Sequence, residues 1–168
     1  MEKYSEVVGL PVICAVDGKK VGVVKDMFFC PKERSVIAFL LDRKGWEVRK
    51  KLILAKDVLK LGTDALIIND AKAVKEFGSV KDHPEFRSKG DLLGLKIYTK
   101  KGEDLGVVKD VLFDFEKGTL DGVEVSDGLL HDIVEGRNVL PLFGKVEFGE
   151  ENILVDSEAV EEMFESGR

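Results

Sequence analysis

Short runs of apolar residues, separated by glycine, aspartate or proline, recur along the chain. In the first half they predict five strands, at Pro11–Val16, Val21–Cys30, Ser35–Asp42, Trp46–Leu54 and Ala65–Ile68. Turn signals follow at intervals of about 8–12 residues, which is typical of a small β-barrel or sandwich. A single short helix is expected after Asp70, whose side chain is a natural N-cap. The pattern therefore predicts an all-β fold.

The same pattern occurs twice. The stretch GKKVGVVKDMFF at Gly18–Phe29 matches GEDLGVVKDVLF at Gly102–Phe113 at seven of twelve positions. The flanks agree as well, so a whole fold unit has been duplicated and the shared GVVKD marks it. The corresponding flanks are VVGLPV at Val7–Val12 with LLGLKI at Leu92–Ile97, and DAKAVKEF at Asp70–Phe77 with DSEAVEEM at Asp156–Met163.

The duplication predicts two tandem domains. We expect copy one at residues 1–77 and copy two at 92–168, joined by a polar linker at 78–91 that carries glycine and proline. The copies differ most at Ser126–Arg137, which replaces the tight Lys44-Gly45 turn of copy one. Here Leu129, Leu130, Ile133 and Val134 recur at helical spacing, which predicts an inserted helical turn.

The order of these motifs resembles the PRC-barrel family, the β-barrel module of the photosynthetic reaction-centre H subunit and of the ribosome-maturation factor RimM. The resemblance is carried by VGLPV and LGLKI at the starts, by GVVKD in both copies, and by NVLPL at Asn138–Leu142, which is degenerate as KLILA at Lys51–Ala55. It covers nearly the whole chain. It implies two small β-barrels, each closing with a short helix, and a non-catalytic module that docks on a partner macromolecule.

The residues that could carry chemistry favour no enzyme. Lys and Asp are adjacent in GVVKD, and neighbours on a strand point to opposite faces, so they do not form an acid–base pair. His83 and His131 have no Ser or Cys nucleophile in the same segment. Cys14 and Cys30 lack the close paired spacing of a zinc site. We expect no catalytic residues, no metal and no cofactor.

Charge divides the chain. Residues 1–77 hold 15 Lys/Arg and 11 Asp/Glu, a net of +4, whereas residues 90–168 hold 8 and 19, a net of −11. The sharpest basic cluster is RKGWEVRKK at Arg43–Lys51. Its Trp46 either anchors a partner or seals the barrel while the charges are solvated. The candidate partner-binding residues are Arg43, Lys44, Trp46, Arg49, Lys50 and Lys51 in copy one, and Leu129, Leu130 and Ile133 in copy two.

These observations predict a cytoplasmic adaptor whose partner is a protein. No apolar run approaches the roughly 18–20 residues of a membrane span, and the first residues carry no secretory signal. An alternative is a RimM-like role on ribosomal RNA or a ribosomal protein, limited to copy one because copy two repels phosphate. A weaker alternative is peripheral attachment to a membrane complex. The opposite charges of the copies also permit self-association.

Overall fold

The structure is a computed structural model and describes residues 1–42, 50–79, 87–88, 92–126, 139–142, 146–157 and 160. The fifteen strands of these ranges belong to one sheet, which confirms the predicted fold class. Copy one and the segment before it contain β1 (Glu2–Lys3), α1 (Tyr4–Val7), β2 (Pro11–Cys14), β3 (Lys20–Cys30), β4 (Ser35–Asp42), β5 (Lys51–Leu54), β6 (Val58–Leu61), β7 (Leu66–Ile68) and β8 (Val74–Glu76). Short 3-10 helices lie at Ala55–Asp57, Ala71–Ala73 and Phe77–Ser79.

The remaining strands belong to copy two and to the segment before it. They are β9 (Arg87–Ser88), β10 (Lys96–Thr99), β11 (Asp104–Asp114), β12 (Thr119–Ser126), β13 (Val139–Pro141), β14 (Val146–Phe148) and β15 (Asn152–Val155). Ser157 and Val160 are helical.

Both copies have the same topology. Strands β2 to β5 pair antiparallel in sequence order and β7 returns parallel to β2, just as β10 to β13 pair antiparallel and β15 returns parallel to β10. The shared glycines lie opposite equivalent residues, Gly22 opposite Val12 and Gly106 opposite Ile97. A β-bulge follows at the same point in each copy, at Lys25 and at Lys109. The structure thus confirms the duplication residue by residue.

The sequence located most strands of copy one but missed β1, β6 and β8. The strand predicted at Ser35–Asp42 has those bounds, whereas the one predicted at Trp46–Leu54 begins at Lys51 in the described part. The expected helix after Asp70 is a single 3-10 turn, in which the Asp70 side chain accepts the N–H of Lys72 at 2.8 Å. The chain then extends into β8 because β5 offers it an edge to pair with. The strand β6 was not predicted.

The two copies exchange short strands. The N-terminal β1 pairs with β11 of copy two, with Lys3 opposite Leu112, and β9, which precedes copy two, pairs with β3 of copy one, with Ser88 opposite Phe28. Phe28 and Leu112 are equivalent residues, so an approximate twofold axis relates the two exchanges. The proposed linker segment therefore contributes a strand to copy one.

This axis passes between Ser35 and Thr119, which are equivalent residues and lie opposite each other where β4 meets β12. The contact is symmetric in its hydrogen bonds. The Val36 N–H donates to the Gly118 carbonyl at 2.9 Å, and the Leu120 N–H donates to the Arg34 carbonyl at 2.8 Å. Backbone pairing thereby joins both copies into one sheet.

The hydrophobic core is also shared. A single cluster of buried residues contains side chains from both copies. Aromatic rings cross between them: the centroids of Phe29 and Phe148 lie 5.8 Å apart, and those of Phe39 and Phe115 lie 6.1 Å apart. Since such ring pairs bury large apolar areas, each copy completes the core of the other.

The short helix α1 is held by both copies through the aspartates of GVVKD. The Tyr4 hydroxyl donates to Asp26 at 3.0 Å, while the Ser5 N–H donates to Asp110 at 3.2 Å and the Ser5 hydroxyl donates to the same carboxylate. Each aspartate also accepts the backbone N–H of the residue that follows it, at 2.7 Å for Asp26 and 2.8 Å for Asp110. These contacts make the repeated motif a structural one.

Candidate partner-binding groove

A groove of about 480 Å³ lies at the junction of the two copies. Its apolar floor comes from copy two, and its polar rim comes from the β-turns that precede β4 and β12 and from the start of β12. We name this site the junction groove. The residues that line it are Met1, Glu33, Arg34, Leu112, Lys117, Thr119, Leu120, Asp121, Gly122, Val139, Pro141 and Leu142.

The floor of the junction groove is a row of three neighbouring positions on adjacent strands. Leu112 on β11 lies opposite Gly122 on β12, and Gly122 lies opposite Pro141 on β13. A Cβ at Gly122 would lie 2.9 Å from the Leu140 carbonyl oxygen, closer than atoms pack, so glycine allows β13 to approach. The space that a Gly122 side chain would take is filled by the Leu140 carbonyl oxygen and by Cγ1 of Val139, which would lie 3.4 Å from that Cβ.

The rim carries charges of both signs. Arg34 of copy one has a positive φ of 51°, and its guanidinium donates a hydrogen bond to the carbonyl of Leu142 in copy two. The Thr119 hydroxyl donates to Asp121 at 2.7 Å. Lys117 has its ammonium 3.7 Å from Asp114, and the Lys117 N–H is the main cause that lowers the pKa of the Asp114 carboxyl. Arg34 thus links the two copies at the rim of the groove.

The equivalent row in copy one is covered by the chain itself. There Phe28, Ala38 and Leu54 take the places of Leu112, Gly122 and Pro141. Phe77 follows β8 and packs on Phe28 with ring centroids 5.6 Å apart, and its N–H donates to the Lys50 carbonyl at 2.9 Å. The two copies therefore share this row of positions, and among the described residues only copy one shows an aromatic side chain, Phe77, packed on it.

Most of the site residues predicted from the sequence lie outside the described residues. These are Arg43, Lys44, Trp46 and Arg49 of the basic cluster, and Leu129, Leu130 and Ile133 of the inserted turn, so their placement stays a prediction. Lys50 is exposed. Lys51 begins β5 and forms an ion pair with Glu76 at 3.4 Å, with only 17% of its side chain exposed. The part of Lys51 that a partner could reach is small.

The described ranges also bear on metal binding, on thiol chemistry and on membrane spans. They hold no group of three or more His, Cys, Asp and Glu side chains placed to bind a metal ion. Both cysteines are buried, and burial raises the pKa of the Cys14 thiol, which disfavours the reactive thiolate. No helix within these ranges is long and apolar enough to cross a membrane.

The fold defines the class of this protein: a pair of small β-barrel modules joined in one sheet. The PRC-barrel domain model matches residues 1–75 and again residues 84–161. The chain therefore belongs to the PRC-barrel family and contains two tandem copies of its domain. Domains of this family are in general non-catalytic and mediate protein interactions. No curated protein matches the chain.

Reasoning from the sequence missed the junction groove because its two sides are far apart along the chain. Arg34 and Leu142, which meet at the rim, are separated by 108 positions. One signal was available in the repeat itself: Arg34 occupies the position that Gly118 occupies in copy two. Arg34 is charged whereas its counterpart Gly118 has no side chain, so the two copies differ in sequence at the place where they meet.

Proposed function

We propose that this protein is a cytoplasmic, non-catalytic adaptor that mediates protein–protein interaction and binds its partner at the junction groove. The groove itself supports the proposal, because an apolar floor with a charged rim is the usual form of a pocket that receives one anchoring side chain. Its walls come from both copies, so the site exists only when the copies are joined. This gives a physical reason for keeping two barrels in one chain.

Affinity purification of the full chain from native lysate tests the adaptor function. We expect a stoichiometric protein partner that Val139→Glu abolishes, since Val139 lines the groove and a carboxylate there disfavours an apolar anchor. Leu59→Glu is the matched control: Leu59 is 58% exposed on β6, outside the groove, so the partner should remain. Turnover of a small substrate by the purified chain, without any partner at low salt, would contradict the proposal.

Binding of ribosomal RNA or a ribosomal protein through the basic cluster is the alternative. Exposed Lys50 favours it, whereas the Lys51–Glu76 ion pair reduces the charge available to phosphate. RNA affinity should fall steeply with salt and after neutralising Arg49, Lys50 and Lys51. Affinity that survives both changes would exclude this cluster as the site.

Two further possibilities remain proposals of lower rank. Peripheral attachment to a membrane complex predicts co-sedimentation with membranes that disappears when one membrane partner is removed. Self-association through the basic and acidic copies predicts a mass that grows with concentration and falls with salt. Sedimentation at two salt concentrations measures the second of these directly.

A further inference from the structure

Copy one shows what fits on the face that forms the junction groove in copy two. Its strand β8 adds to the edge of β5, with Ile53 opposite Val74, Leu52 opposite Lys75 and Lys51 opposite Glu76. This pairing delivers Phe77 onto Phe28. Leu40 and Leu52, on the same face, are 7% and 0% exposed. In copy one a short strand followed by an aromatic residue therefore occupies this surface, with Phe77 still 41% exposed.

Copy two has the same receiving edge in β13, which is the equivalent of β5. In the described part of the chain β13 pairs only with β12. Val160, the equivalent of Val74, is helical where Val74 begins β8. The sequences of the two copies also differ here. In copy one Lys51 forms an ion pair with Glu76, whereas the position equivalent to Lys51 in copy two is Asn138, which carries no charge.

We propose that the junction groove and the β13 edge bind an extended segment of another protein by strand addition, with an aromatic side chain inserted over Leu112. The segment is the external counterpart of β8 and Phe77. Strand addition supplies main-chain hydrogen bonds, and the pocket supplies side-chain specificity. This inference rests on the proposed adaptor function and names the form of its partner.

The proline in β13 is compatible with such pairing. Pro141 has no N–H to donate, yet its counterpart Leu54 lies outside the β5–β8 ladder, which uses only residues 51–53. The equivalent of Leu52 is Val139, which keeps an N–H on this edge, whereas the Leu140 N–H faces β12, as the Leu142 N–H does. The proline therefore limits the length of the added strand to that seen in copy one.

Charge favours a basic segment. Residues 90–168 carry a net charge of −11, whereas the charges that line the groove itself balance, with Glu33 and Asp121 against Arg34 and Lys117. A segment with net positive charge gains attraction from this half during encounter and binding. In copy one the occupying segment is VKEF, which consists of β8 and Phe77, and the charges of its Lys75 and Glu76 sum to zero. Replacing that glutamate by lysine converts the known occupant into one suited to copy two.

A peptide with the sequence of residues 70–79, DAKAVKEFGS, is the probe, labelled with a fluorophore and titrated with the full chain. We expect saturable binding that the peptide change Glu76→Lys tightens at low salt. The peptide change Phe77→Ala should weaken binding by at least about tenfold, the loss typical of an anchor side chain. The chain's own β8 is not displaced at micromolar peptide, because its effective concentration is on the order of millimolar.

Protein variants locate the binding. Val139→Glu should weaken the Glu76→Lys peptide by at least about tenfold, and Leu59→Glu should leave it unchanged. Far-ultraviolet circular dichroism and the urea midpoint confirm that both variants fold. Equal binding to the native chain and the Val139→Glu variant would overturn the proposal, as would the absence of binding at millimolar peptide.

Other occupants give different results. Peptide binding that appears only after residues 161–168 are removed would show that the chain covers this edge itself. A dimer that Val139→Glu dissociates would show that a second copy does so. Either result overturns the proposal for a foreign segment. A protein partner captured by the native chain but not displaced by the peptide would overturn strand addition while the adaptor function stands.

Discussion

The aspartates that end the repeated GVVKD both accept hydrogen bonds from α1, but they differ in burial. Asp26 is half-buried and accepts the Tyr4 hydroxyl, whereas Asp110 is only 7% exposed and accepts both the N–H and the hydroxyl of Ser5. A buried carboxylate is tolerated when donors hydrogen-bond to it. Removing that carboxylate leaves its buried donors without an acceptor, which lowers the free energy of unfolding. The same aspartate of the repeat is therefore expected to contribute more to stability in copy two than in copy one.

Asp110→Ala should destabilise the chain by about 2–3 kcal/mol, because three donors from Ser5 and Val111 lose their charged acceptor. Urea unfolding followed by circular dichroism measures the change. Asp64→Ala, at an exposed turn position, serves as the control and should stay within about 0.5 kcal/mol of the native chain. Equal effects of the two substitutions would refute a structural role for Asp110.

Asp104 gives the stability of copy two a dependence on acid. The Lys96 ammonium at 2.7 Å, and after it the Gly106 N–H at 2.8 Å, lower the pKa of this carboxyl below its ordinary value of 3.8. A lowered pKa in the folded chain stabilises it above the ordinary value, and this contribution is lost as pH falls through the folded pKa.

Asp104→Asn should therefore lower the urea midpoint at pH 7, and the gap from the native chain should narrow below about pH 4. Midpoints measured from pH 7 down to about pH 3 test this. A gap that stays constant across the range would show that the Asp104 charge has no part in stability.

At the scale of elements, α1 and the strand before it fasten the two copies together. Tyr4 is 9% exposed in the shared core, and β1 pairs with β11 across the junction. The Glu2 carboxylate accepts the Phe115 N–H at 2.9 Å, and the Lys3 ammonium lies 3.0 Å from Glu124. The Lys3–Glu124 pair is partly exposed to solvent and adds little, so the ring of Tyr4 and the backbone pairing of β1 contribute most to joining the copies.

Tyr4→Phe should cost about 1 kcal/mol, the usual loss for one hydrogen bond, whereas Tyr4→Ala should cost about 3–5 kcal/mol through the cavity it leaves. Chemical unfolding of both variants gives the comparison. If Tyr4→Ala proves no worse than Tyr4→Phe, the ring does not contribute to the junction and α1 is peripheral to stability.

The equivalent segments VKEF and VEEM illustrate why an element could not be predicted from its own residues. Both follow an aspartate that can cap a helix, and both were expected to be helical. The first three residues of VKEF instead form β8, because β5 presents an edge to pair with. Lys51 and Asp57 also provide partners for Glu76 and Lys75, each at 3.4 Å. Pairing with β5 therefore outweighed the local preference of this segment for a helix.

At the scale of the whole molecule, the continuous sheet and the shared core predict that both copies unfold together. Phe39 in copy one and Val123 in copy two are fully buried in the same cluster. Phe39→Ala should cost about 3–5 kcal/mol and Val123→Ala less, and each should shift one common transition rather than half of it. Calorimetry and fluorescence-detected urea unfolding report whether the transition is single.

Two separate transitions, with Phe39→Ala moving only one of them, would show that the copies are thermodynamically independent. In that case the proposed boundaries at residues 77 and 92 would describe folding units as well as repeats. A single transition would show that those boundaries separate sequence repeats but not independent folding units. The same measurement therefore tests the division into domains.

The sequence by itself determined the duplication, the family, the mainly β fold and most strand positions, because these follow from local periodicity, turn residues and the agreement between repeats. The tertiary structure alone decided the strand exchange at β1 and β9, the sheet contact at Ser35 and Thr119, and the junction groove. Each of these joins residues that are at least 58 positions apart, the separation of Phe29 and Arg87. Their pairing depends on how two complete barrels fit together, which no local pattern encodes.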